Sequence, residues 1–123
     1  MPTTVLIVDD LLFMRTVLRD ILEQTGFRVV GEADNGAAAV ESYKRMKPDI
    51  VLLDITMPVM DGITALKKIK KNDPHAKIIM CSALGQQEYI IKAIQLGAKD
   101  FIVKPFSPER IVSAVSRAAS TGG

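Results

Sequence analysis

Five short apolar runs recur along the chain, each separated from the next by enough residues for one helix. They are Val5 to Val8, Arg28 to Gly31, Ile50 to Leu53, Ile78 to Cys81 and Phe101 to Val103. All but the second are almost purely apolar. Such runs fit strands covered on both faces, as in a parallel sheet. The segments between them carry apolar residues at helical spacing: Leu11, Met14, Leu18, Ile21 and Leu22; then Val40 and Tyr43; then Ile63, Leu66 and Ile69; then Ile90, Ile91 and Ile94; and finally Ile111, Val112 and Val115. Gly26 and Gly97 stand where helix ends favour a left-handed residue, and Ser107 before Pro108 reads as a helix N-cap. The order β-α, five times over, predicts an α/β fold: a doubly wound, five-stranded parallel sheet with right-handed crossovers.

The 123 residues fit one domain, 1–123, able to bury a real core. No linker or repeat divides them, and only the tail from Ser120 to Gly123 is expected to fray. A net charge of +2 without a basic run gives no reason to expect nucleic acid as a partner. Cys81 is the single cysteine, so no internal disulfide can form. The first residues lack a signal-peptide pattern, and no apolar run approaches the roughly 20 residues of a membrane span. A cytoplasmic protein with no membrane partner is expected.

Polar residues gather where the apolar runs end. Asp9 and Asp10 close the first run, Asp54 the third, Ser82 the fourth and Lys104 the fifth. Ligands of open α/β sheets bind at these carboxyl ends. An aspartate after a strand is often a helix cap or turn former, and Asp9 or Asp10 alone fits that reading equally well. Asp54 directly follows Ile-Val-Leu-Leu, where a carboxylate is unfavourable unless paired or bound to a cation. Carboxylates close together repel one another and raise their pKa values. A hard divalent cation such as Mg2+ relieves this, and Lys104 adds a permanent positive charge. Three acids with a lysine point to phosphoryl chemistry. In the loop after Asp54, Pro58 stiffens the chain, Gly62 allows a close turn, and Asp61 suits the cap of the third helix. The Lys104–Pro105 bond is one where the cis isomer is accessible.

The stretches VLIVDD, DITMPVMDG, CSA and KPF together resemble the signature blocks of bacterial response-regulator receiver domains, across essentially the whole chain. The resemblance implies a flavodoxin-like sheet of order 2-1-3-4-5 and a single receiver domain. It implies that Asp54 is the phospho-acceptor. Mg2+ would be held by Asp10 directly, with Asp9, Asp54 and the backbone carbonyl of Thr56. Ser82 would contact the phosphoryl group, Lys104 would pair with it, and Ser82 and Phe101 would act as switch residues. Phe101 has no hydroxyl, which leaves ring burial as its means of switching. Met14-Arg15, GITALK and SALGQQ are similar to single-domain chemotaxis members of Gram-positive and Thermotoga-type bacteria. The partners implied are a chemotaxis histidine kinase and the flagellar motor switch protein, with a monomeric regulator between them. Such a domain catalyses its own Mg2+-dependent phosphorylation and dephosphorylation without being a conventional enzyme. Leu84, two residues beyond Ser82, cannot hydrogen-bond an attacking water, which implies slow self-dephosphorylation and a separate phosphatase.

Other classes fit less well. A flavodoxin needs a hydroxyl- and glycine-rich phosphate loop after the first strand, where this chain has two aspartates. An aspartate-nucleophile phosphatase needs a second carboxylate at Thr56. A transcription factor is not expected, because no DNA-binding segment follows in the 123 residues. A stand-alone receiver in another phosphorelay, such as sporulation, would have the same site and differ only in its partners. Cys81 reads as a small core residue, His75 as part of a turn, and Lys67, Lys68, Lys70 and Lys71 as a solvated helix end.

Overall fold

The computed structural model describes residues 2–120; Thr121, Gly122 and Gly123 of the tail expected to fray lie outside them. Ten elements alternate along the chain: β1 (Thr4–Val8), α1 (Leu12–Gln24), β2 (Arg28–Ala33), α2 (Gly36–Met46), β3 (Ile50–Asp54), α3 (Gly62–Asn72), β4 (Ile78–Ser82), α4 (Gln87–Gln95), β5 (Asp100–Val103) and α5 (Pro108–Ser120). The strands form one parallel sheet of order β2-β1-β3-β4-β5. Both the architecture and the strand order agree with the sequence reading.

Side chains of a strand alternate between its faces, and this sheet has an apolar layer on each. Leu6, Val8, Val51, Leu53, Ile78 and Met80 pack against α2, α3 and Ala93 of α4. Val5, Ile7, Ile50, Leu52, Ile79, Cys81 and Ile102 pack against α1 and α5. Asp54 continues the row of Ile50 and Leu52. Asp9 and Lys104 extend the rows of Ile7 and Ile102 one residue past their strands. The three charged groups thus fall on the α1/α5 side by the same alternation that builds the core. Ser82 continues the row of Ile78 and Met80 on the other side.

Two apolar patterns behave differently from expectation. Leu11 precedes α1 and is 57% exposed, so the buried stripe of that helix is carried by Leu18 and Leu22. In α4 the small residue Ala93 meets the core, with Ile90 packed beside it, while Ile91 and Ile94 face outward. A nine-residue helix covers too little of the sheet to bury three isoleucines at these positions. Gly26 and Gly97 do adopt positive φ, and the Ser107 hydroxyl accepts a hydrogen bond from the Arg110 N–H.

The β3–α3 loop turns in an unexpected way. Its left-handed residue is Val59, at φ 68°, a conformation unfavourable for a β-branched side chain. Gly62 serves a different need. Its N–H donates to the Ile55 carbonyl, and a Cβ there would run into the carbonyl oxygen of Asp54. Asp61 caps α3 by accepting from the Thr64 N–H at 2.8 Å. Gly62→Ala is therefore expected to destabilise the protein by about 1–3 kcal/mol through overpacking against backbone. Urea unfolding of the purified variant checks this; an unchanged midpoint would contradict the close approach.

Candidate active site

β1 and β3 are neighbours at the point where strand order reverses, so their carboxyl ends open into the crevice that such sheets use for ligands. Asp9 is 1% exposed there and Asp54 7%, while Asp10 is exposed. One oxygen from each of these three carboxylates can be chosen such that all lie within 4.8 Å of one another. The Lys104 ammonium, reaching across from β5, donates to Asp9 Oδ2 at 3.0 Å and lies 3.4 Å from Asp54 Oδ1. The Lys104–Pro105 bond is cis. Asp54 Oδ1 also accepts from the Ile55 N–H at 3.0 Å.

These surroundings set the ionisation of the site. Burial pushes the Asp54 carboxyl up to about 6; the Lys104 charge opposes this, and repulsion from Asp9 adds to it. The sequence pointed to both burial of Asp54 and repulsion among the acids, and burial is the larger effect. For Lys104, burial favours loss of the proton, but the hydrogen bond to Asp9 and the charges of Asp54 and Asp9 outweigh it and hold the ammonium above its ordinary range. One ammonium faces three carboxylates, so net negative charge remains. Clustered hard oxygen donors with such an excess fit Mg2+. They offer nothing to a soft metal, since Cys81, the single thiol, is buried and pushed up to about 12 by that burial.

Ser82 is fully buried at the end of β4, and its hydroxyl oxygen has no hydrogen-bond partner among the described residues. Buried hydroxyls are normally satisfied, so this one has its hydrogen-bonding capacity open. Thr56 is exposed in the loop beyond Asp54. Phe101 on β5 is 36% exposed, away from the acid cluster. The structure thus brings Asp9, Asp10, Asp54 and Lys104 together, places Ser82 one residue past the register partner of Asp54, and leaves Phe101 on the outer surface.

Four contributors were not singled out as site residues. The Arg15 guanidinium donates to the Asp9 carbonyl at 2.7 Å and to Glu32 at 3.0 Å, while Arg19 donates to the other Glu32 oxygen at 2.7 Å. Burial alone would raise the Glu32 carboxyl, but the two arginines lower it. Glu32 was visible as an acid directly after the second run. Gln86 joins the two loops flanking the site: its carbonyl accepts from the Ala83 N–H at 2.7 Å, and its amide donates to the Thr56 hydroxyl at 2.8 Å.

Comparison with known proteins finds relatives of the whole fold. The family profile described as response regulator receiver domain matches residues 5–116. The chain is 61% identical over 117 residues to chemotaxis protein CheY of Thermotoga maritima, covering 95% of this chain and 98% of the relative. It matches CheY of Bacillus subtilis strain 168 at the same identity and coverage. Among solved structures, a chain of the CheX-CheY-BeF3-Mg2+ complex from Borrelia burgdorferi superposes with a TM-score of 0.93 at 41% identity, covering 98% of this chain and 92% of that one.

The raised Asp54 carboxyl has a sign that can be tested. Its folded-state pKa lies above the unfolded value, so the stabilisation it gives is present when protonated and is lost as pH rises from near 4 through about 6. In chelator-treated buffer, Asp54→Asn is expected to exceed the parent in stability by about 1–2 kcal/mol at pH 7 and to lose that advantage below about pH 4. Added Mg2+ should stabilise the parent. Urea unfolding across pH reads both effects; a difference that does not change with pH would contradict the assignment.

Proposed function

The chain belongs to the response regulator receiver domain family, and from that membership we propose that it is a phosphorylation-activated regulator of chemotaxis that takes a phosphoryl group onto Asp54. The observation that carries the reading is the buried Asp54 carboxylate, lying beside the Lys104 ammonium and clustered with Asp9 and Asp10. A carboxylate oxygen of Asp54 attacks the phosphorus of a phosphohistidine on a histidine kinase. The new P–O bond forms as the P–N bond breaks, and its electron pair stays on the imidazole. The product is an acyl phosphate. Lys104 balances charge on the transferred group, and the unpartnered Ser82 hydroxyl donates to one of its oxygens.

Mg2+ would be held by Asp10, Asp9, Asp54 and the Thr56 carbonyl, and would supply charge neutralisation for the phosphoryl oxygens. Arg15 fixes the Asp9 carbonyl and so orients the acidic pair. Leu84 is 76% exposed hydrocarbon, which supports slow self-hydrolysis and a separate phosphatase.

Output would leave through the face of α4, β5 and α5. Tyr89, Ile91, Ile94 and Phe101 are exposed there. A phosphoryl group that draws in Ser82 shifts the loop after β4, and Phe101 turns inward beside it. A two-state equilibrium moves only by the difference in binding to its two states. Ser82 and Lys104 supply that difference, and the flagellar motor switch protein reads it.

Incubation with Mg2+ and a small phosphodonor such as acetyl phosphate should add one phosphoryl group, which intact mass would register. Asp54→Asn should abolish it; equal labelling in that variant would overturn the assignment. Asp10→Asn should weaken Mg2+ binding by at least roughly 10-fold while leaving the fold intact. Titration calorimetry giving parental affinity would remove Asp10 from the metal site.

A further inference from the structure

Gln86 occupies an unusual position. It is the residue before α4, where a side chain ordinarily caps the helix, yet its side chain makes no cap hydrogen bond. It turns back instead to Ala83, the residue after Ser82, and across to Thr56, two residues beyond Asp54. The orientation of the amide is fixed by chemistry: a backbone N–H only donates, so the carbonyl oxygen must face Ala83 and the NH2 must face Thr56. One side chain therefore ties together the loops on either side of Asp54 and the start of α4, whose first turn hangs on the Gln86 carbonyl through the Tyr89 and Ile90 N–H groups.

We propose that Gln86 is a positioning residue that latches the β4–α4 loop in the arrangement where the buried Ser82 hydroxyl has no partner. The inference rests on the reading that Asp54 takes a phosphoryl group. The Ser82–Ala83 peptide is continuous, so movement of Ser82 toward a group on Asp54 carries the Ala83 N–H with it. That movement breaks the 2.7 Å bond to Gln86 or pulls α4 along. The two Gln86 hydrogen bonds belong to the arrangement described here and weigh against the rearranged one. The latch thus sets how readily the site accepts its group, without touching it.

Gln86 is half-buried and belongs to neither core cluster, so Gln86→Ala is expected to fold. Two measurements decide the matter. Titration with Mg2+ and beryllium fluoride, a mimic of a carboxylate-bound phosphoryl group, should show Gln86→Ala binding roughly 3- to 10-fold more tightly than the parent, the scale of one or two net hydrogen bonds. Amide exchange followed by NMR without fluoride should show Ala83 exchanging at least several-fold faster in Gln86→Ala. Gln86→Glu keeps an acceptor for Ala83 and should restore the slow exchange. A Gln86→Ala affinity equal to or weaker than the parent's, or an Ala83 amide exchanging at the parental rate, overturns the latch while leaving Asp54 as acceptor. A parent that binds no beryllium fluoride overturns the acceptor reading and the latch with it.

Discussion

The position of one ammonium group organises this site. Lys104 Nζ lies 3.0 Å from Asp9 Oδ2 and 3.4 Å from Asp54 Oδ1, both on nearly buried residues. Two ionised carboxylates at the ends of adjacent strands would be strongly unfavourable without it. A lysine is a mobile point charge on a long stem, able to reach from the edge strand to the centre of the sheet. A single positive charge shared between two acids, with Asp10 beside them, compensates incompletely. The remaining imbalance suits the crevice to a cation, and under the proposed function that cation would make a charge-bearing phosphoryl group tolerable there.

A second set of ion pairs holds the acid loop in place from outside. Arg15 bonds the Asp9 carbonyl while sharing Glu32 with Arg19, and the Asp9 N–H donates to the Ala33 carbonyl. The backbone of the acidic residue is therefore gripped on both its polar groups, and its carboxylate is left to face the crevice. Asp9 Oδ1 additionally accepts from the Leu11 N–H at 2.9 Å, which binds the start of α1 to the same residue. Fixed acids of this kind meet a ligand without first losing conformational freedom.

The parts of this picture visible in the sequence are those governed by periodicity. Five apolar runs gave five strands, and the polar residues that ended them converged because parallel strands share one carboxyl end. The exposed Ile91 and Ile94 escaped that logic, since an apolar stripe does not say whether a short helix has a sheet beneath all of it. Val59 escaped for another reason: glycine is the usual carrier of positive φ, and a valine held there by its surroundings leaves no compositional trace. Gln86 was hidden because its partners, Ala83 and Thr56, are neutral and lie on different loops. Nothing in residue type or spacing pairs a glutamine amide with a backbone N–H three residues earlier and a hydroxyl thirty residues away.

The alternation of the strands also divides the molecule into two sides. Asp9, Asp54 and Lys104 belong by row to the layer of α1 and α5, while Ser82 belongs to the layer of α2, α3 and α4. The sheet thus separates the acids and the lysine from the row that ends in the Ser82 hydroxyl. Under the proposed function, chemistry on one side would reach the other through Ser82 and the loop that follows. On that reading, the outward surface of α4 would be open to re-sculpting for a different listener while the acids and the lysine keep their places.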